Sequence, residues 1–120
     1  MDVESFRSYC LNKKGVTEEF PFDEHTLVFK VMGKMFALVP LERVPSQCNL
    51  KCDPDRALEL REEYDGLIIP GYHMSKKHWN TLLLDSLSPK LIVELVDHSY
   101  DLVVAKLPKA IREQMQNLPE

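Results

Sequence analysis

His25-Thr26-Leu27-Val28-Phe29-Lys30-Val31-Met32-Gly33-Lys34-Met35-Phe36-Ala37-Leu38-Val39-Pro40 is the stretch on which the fold turns. Leu27, Phe29 and Val31 alternate with Val28, Lys30 and Met32, the two-residue period of a strand. Gly33-Lys34 then reads as a two-residue hairpin loop with Gly first, as a type II′ turn wants. Met35 to Val39 returns as the second strand, and Pro40 stops it. An antiparallel sheet begun this way needs its apolar face covered.

The flanking segments supply the cover. Residues 2–12 form an amphipathic helix with Val3, Phe6 and Cys10 on one face, closed by Asn12-Lys13-Lys14-Gly15. Residues 17–23 read as a connector that Phe20-Pro21-Phe22 pins to the core. After a loop between Pro40 and Pro45, residues 46–52 make a third strand with Cys48, Leu50 and Cys52 on one face. Asp53-Pro54 starts a helix that runs to about Tyr64, with Asp as N-cap and Pro at the first helical position. Ile68 to Tyr72 and His78 to Leu84 form a second hairpin. Ser88-Pro89 repeats the helix start, and a long buried stripe follows from Leu91 to Val103. Pro108 opens a short final helix with Ile111, Met115 and Leu118. The expectation is an α+β fold: an antiparallel sheet of about five strands, order α-β(3)-α-β(2)-α plus a short C-terminal helix, in one domain over residues 1–120.

Composition bounds the setting. A chain of 120 residues, 44% hydrophobic, can bury a core unaided. No apolar run approaches a membrane span, and the acidic start Met1-Asp2-Val3-Glu4-Ser5 lacks a signal-peptide layout. Cys10, Cys48 and Cys52 form no disulfide framework, since four strand rises would part Cys48 and Cys52 by about 13 Å. These features together point to the cytoplasm. The net charge of −4 speaks mildly against a generic polyanion binder. Yet Asp53, Asp55, Glu59, Glu62, Glu63 and Asp65, set against Arg56 and Arg61, carry the whole of that charge. Glu62-Glu63 reads as a solvated helix face, and Arg61 pairs with a neighbouring carboxylate.

The most chemically dense stretch is Pro70-Gly71-Tyr72-His73-Met74-Ser75-Lys76-Lys77-His78-Trp79-Asn80-Thr81. Gly71 permits a bend, and Met74 to Lys77 form a polar hairpin tip. Two readings compete for it. In one, Lys76 and Lys77 offer charges to phosphate while Tyr72, His73, His78 and Trp79 form a stacking platform. In the other, the tip is merely solvated and Trp79 packs half-buried against the core.

Other motifs carry less. The four glycines are isolated and build no phosphate loop. Asp97-His98-Ser99 holds triad residue types, but helix neighbours diverge where a triad must converge. Cys48-x-x-x-Cys52 with His73 or His78 matches no standard zinc site, and Cys48 suits a small core position. The pattern calls for no metal, no cofactor and no catalytic residue.

At Leu50-Lys51-Cys52-Asp53-Pro54, Leu60-Arg61-Glu62-Glu63-Tyr64 and Pro70 to Thr81, the chain resembles the MmcQ/YjbR family of small bacterial proteins. The Val31-Met32-Gly33-Lys34-Met35-Phe36-Ala37 hairpin matches as well, so the likeness covers essentially the whole chain. The resemblance implies an architecture like that of type III secretion chaperones, also compared to CyaY, with the same element order. It further implies DNA binding through a double-wing motif, with Gly33-Lys34 at one wing tip and Met74 to Lys77 at the other. Many relatives carry Asn where this chain has the shorter Ser75.

Three functions follow as expectations. A non-catalytic DNA-binding module would use Lys34, Lys51, Lys76 and Lys77 on phosphates, with Tyr72, His73, His78 and Trp79 beside them. A protein- or peptide-interaction module would exploit the chaperone-like architecture. An enzyme would need His73 or His78 in a pocket of convergent polar groups.

Overall fold

A computed structural model describes residues 1–71 and 74–119. Helix α1 (Val3–Leu11) starts where the Asp2 carboxylate accepts the Ser5 N–H at 2.7 Å, and it buries Phe6 and Cys10. The chain turns at Gly15, φ +76°, into strand β1 (Val16–Glu19). This strand occupies the segment read from sequence as a connector. Val16-Thr17-Glu18-Glu19 carries little intrinsic signal, and pairing with β2 (Thr26–Val31) from Val16↔Val31 to Glu19↔Val28 decides it. Ion pairs from Arg7 to Glu18 at 2.6 Å and from Lys30 to Glu19 clasp it from both sides. Phe20 and Phe22 do not pin the following loop, being 48% and 64% exposed.

Strand β3 (Lys34–Pro40) completes the first hairpin, but its turn is Met32-Gly33 and not Gly33-Lys34. Val31 pairs with Lys34, and the φ values of 48° at Met32 and 85° at Gly33 make a type I′ turn. A left-handed methionine is unusual. Here its N–H donates to the Gly15 carbonyl at 3.0 Å, which holds the turn against the end of α1. The register shifts between Phe29 and Lys30, so Phe36 becomes an extra residue and sends its ring into the core.

Five further elements follow: β4 (Gln47–Lys51), α2 (Pro54–Glu63), β5 (Ile68–Pro70), β6 (Trp79–Leu83) and α3 (Pro89–Ala105). Helix α4 (Lys109–Gln116) ends the chain. Asp53 and Ser88 cap α2 and α3 by accepting the Arg56 and Leu91 N–H groups, with Pro in the first turn of each. The sheet has six strands in the order β1-β2-β3-β4-β6-β5, every neighbouring pair antiparallel. The fold is α+β as expected, and β1 is the strand beyond the five anticipated.

Helix α3 lies across β2, β3 and β4, while α1 meets β1 and α2 meets β5. Between sheet and helices sit Phe6, Phe29, Phe36, Leu50, Leu82, Ile92 and Val96, all but sealed from solvent. Phe36 meets Tyr100 edge-to-face at 5.5 Å, and Phe6 meets Phe29 at 6.0 Å. Buried Ser99 donates to the Phe36 carbonyl at 2.5 Å and accepts the Lys51 N–H at 3.0 Å. One hydroxyl thus satisfies both groups where the β3–β4 ladder opens past Ala37↔Leu50.

The opposite face of the sheet carries a smaller cluster of Val28, Leu38 and Trp79, flanked by Met35 and Met74. Its central row runs Glu19, Val28, Leu38, Asn49, Thr81, Ile69 across all six strands. Among the described residues, no helix is long and apolar enough to cross a membrane.

Candidate nucleic-acid interface

The register brings the two hairpin ends together. Strand β3 begins at Lys34, β4 ends at Lys51, and Lys51 pairs with Trp79 at the start of β6. Helix α3 finishes beside them, with Lys106 as its C-cap. Around this end of the sheet runs a groove of ≈ 490 Å³. Its floor includes Met35, Trp79 and Leu107, and its lysines are Lys30, Lys34, Lys51 and Lys106. Lys30 is engaged by Glu19. Lys34, Lys51 and Lys106 make no ion pair among the described residues.

Lys51 is half-buried, and its ammonium is held below the usual lysine range, first by burial and then by the charge of Lys106. An anion seated near the two would offset their repulsion and give the half-buried ammonium a counter-charge. Lys76 and Lys77 are exposed in the turn that leads into β6. The His78 and Trp79 N–H groups both donate to the Ser75 carbonyl, at 3.1 and 3.0 Å. The Cys52 N–H donates to the His78 carbonyl at 2.8 Å, tying the turn to the end of β4.

Arg61 completes that tie. Among the described residues it forms no carboxylate pair of the kind expected from its acidic neighbours. Its Nε donates to Asn80 Oδ1 at 2.7 Å, and its Nη2 reaches the Lys76 and Trp79 carbonyls, the latter at 3.3 Å. A planar five-donor head can serve three acceptors at once, whereas the flanking carboxylates lie out on an exposed helix face.

Several residues of the expected platform sit differently. Trp79 is only 7% exposed and packs in the outer-face cluster, so it supports the hairpin and offers no free stacking face. His78 is half-buried in the turn. Tyr72 and His73 lie outside the described residues. Gly71 is required for a close approach: its N–H donates to the Trp79 carbonyl at 2.9 Å, and a Cβ there would lie 2.8 Å from Trp79 Cβ. Lys106 and the exposed ring of Phe22, which also lines the groove, are the residues that sequence reasoning passed over. Nothing in the chain says that the end of α3 lies beside the end of β4, and an exposed Phe looks the same as a buried one.

The remaining chemistry-bearing groups face elsewhere. Asp97 accepts from Tyr9 at 2.7 Å and pairs with Lys13, His98 Nε2 accepts the Asp53 N–H at 3.2 Å, and Ser99 points into the core. Three neighbours thus serve three separate sets of partners, and they form no triad. Burial pushes the Cys10 thiol up to about 12 and raises Cys48 and Cys52 as well, which makes them inert core residues.

Comparison with known proteins bears on all of this. The family model described as YjbR matches residues 11–102. The uncharacterized protein YjbR of Escherichia coli K12 is 32% identical over 119 residues, covering 98% of this chain and 100% of the relative. The uncharacterized protein YbdF of Escherichia coli O157:H7 is 37% identical over 98 residues, 81% of this chain and 80% of its own length. A crystal structure of a Deinococcus radiodurans protein with the domain DUF419 superposes with a TM-score of 0.89 at 43% identity, over 98% of this chain and 88% of that one. A Pseudomonas syringae protein follows with a TM-score of 0.72 at 29% identity, over 85% and 98%. Sequence and architecture agree over nearly the full length, and the chain belongs to the YjbR family.

Proposed function

We propose that the protein is a non-catalytic, cytoplasmic DNA-binding module that contacts the phosphate backbone with the lysine end of its sheet. The observation that carries this reading is the gathering of Lys34, Lys51, Lys76, Lys77 and Lys106 at one end of a chain whose net charge is −4. Like charges repel, and an acidic chain has carboxylates enough to neutralise them, yet these ammonium groups have no carboxylate partner among the described residues. Phosphates would fill that role. In this reading the two hairpins are the wings, with Met32-Gly33-Lys34 at one tip and the Ser75–His78 turn at the other.

The test is a binding titration on labelled duplex DNA from about 20 to 200 mM salt. Log affinity should fall linearly with log salt, and the slope should flatten by about 0.9 for each of Lys34→Ala, Lys51→Ala, Lys76→Ala and Lys77→Ala. Binding absent at the lowest salt would remove the proposal.

One observation favours a second reading, a protein partner. Phe20, Phe22, Leu41 and Val44 are all exposed, Val44 at 89%, and Phe22 and Arg43 of the same two loops line the groove over the outer sheet face. A partner covering them would appear in light scattering as a complex that added salt strengthens.

A further inference from the structure

The lysine groove continues from the end of the sheet onto its outer face. A second groove of ≈ 460 Å³ lies over the outer face, floored by Leu38, Gln47 and Asn49. Phe22 and Met35 line both grooves, so the two form one trough. Cations gather at one end of it; the other carries Gln47 and Asn49, apolar side chains, Arg43, and the Asp23 carboxylate, which accepts the His25 and Thr26 N–H groups of its own loop. At their junction stands Phe22, a ring 64% exposed that takes no part in either apolar cluster.

We propose that this trough binds single-stranded nucleic acid, with a base stacked on Phe22 and phosphates on Lys34, Lys51 and Lys106. The proposal rests on the nucleic-acid reading above and narrows it. Charge complementarity selects a polyanion for the lysine end, while the aromatic junction demands a ligand that also brings flat apolar faces. An unpaired nucleotide offers both at once. In a duplex the base faces are taken by neighbouring pairs, so a single exposed ring at the junction of these grooves has nothing to stack on. An acidic peptide would satisfy the lysines and leave the ring unused.

Fluorescence anisotropy on the full chain at low salt tests it. The probes are a labelled oligo-dT of about twelve nucleotides, the matching oligo-U, and the dT·dA duplex of the same length. The strand should bind about tenfold more tightly than the duplex. Phe22→Ala should weaken strand binding by about 5- to 150-fold and leave duplex binding unchanged, while Phe22→Tyr keeps it. Tight binding of either oligo-dT or oligo-U supports the site, which reads stacking and phosphate and not the sugar. Far-UV circular dichroism verifies that each variant folds, as an exposed position allows.

Equal strand and duplex affinities with a neutral Phe22→Ala would overturn the trough and leave the lysine reading standing. Displacement of the strand by polyglutamate of matched charge at equal concentration would also overturn it, the groove being then a generic anion site. No binding of any probe would bring down both readings together.

Discussion

Arg61 Nε donates to Asn80 Oδ1 at 2.7 Å, and through that bond α2 grips the start of β6. The same guanidinium holds the Lys76 and Trp79 carbonyls, so one side chain fixes the turn that displays Lys76 and Lys77. Arg61→Ala should destabilise the protein by about 1.5–3 kcal/mol, the range for hydrogen bonds to a charged group. Arg61→Lys should recover little, because a single ammonium cannot reproduce the fork. Urea melts of both variants decide this; full rescue by lysine would show that only the charge matters.

Gly71 makes the sharpest steric prediction. An added Cβ would stand 2.8 Å from Trp79 Cβ and 3.1 Å from the Trp79 carbonyl oxygen. Neither atom is the end of a flexible chain, so the backbone must move. Gly71→Ala should cost about 1–3 kcal/mol and disturb the Trp79 environment. Tryptophan fluorescence, with one Trp in the chain, reads the second effect directly. An unshifted spectrum and an unchanged melt would contradict the close approach.

His98 gives a pH dependence with a definite sign. Its Nε2 accepts the Asp53 N–H at the start of α2, which only the unprotonated ring can do. Burial chiefly, and then the Arg56 charge, lower its pKa, while Asp53, Asp101 and Glu94 pull the other way. With the folded value below the unfolded one of about 6.5, the unfolded chain binds more protons in that window. Stability is therefore fully present above about pH 6.5 and is lost as pH falls toward the folded value. The loss is graded across that window and modest, because solvent reaches the half-buried ring. Urea melts of His98→Gln should be flat over the same interval, and a wild-type slope in that variant would assign the effect to another group.

Lys51 should trade stability against binding. Its depressed pKa means that the fold disfavours the charged form. Lys51→Met keeps the stem against the groove and removes the charge, so it should raise stability slightly, the gain being limited by solvent screening. The same change should weaken DNA binding and flatten its salt slope by about 0.9. Thermal melts and anisotropy together decide; a fall in both stability and affinity would make the residue structural.

Much of this architecture is readable from the chain because local signals agree with tertiary packing. Asp53-Pro54 and Ser88-Pro89 mark helix starts through cap chemistry that needs no partner from elsewhere. The inward residues Leu27, Phe29 and Val31 alternate with the two-residue period of a strand, although Val28 is buried on the other face as well. Strand β1 escapes notice because its pairing with β2 is set across the sheet, and two glutamates in a row look like loop. The type I′ turn escapes for a related reason: a one-residue bulge at Phe29/Lys30 fixes the register, and no propensity reports it. The lysine end was half legible. Lys34, Lys51, Lys76 and Lys77 stand out in the sequence, whereas Lys106 joins them only once α3 has crossed the sheet.

The placement of β1 and β5 at the two margins of the sheet has a consequence for how anything can dock. β5 is three residues long and ends in Pro70, which has no N–H to lend an incoming strand. β1 is four residues long and presents exposed Thr17 and Glu19 beside its Arg7 and Lys30 clasps. Short, charged or proline-ended borders discourage strand addition. Self-templated growth by edge pairing is thus disfavoured at both flanks, which leaves the broad side of the sheet and the rim of its lysine end as the better-suited docking surfaces.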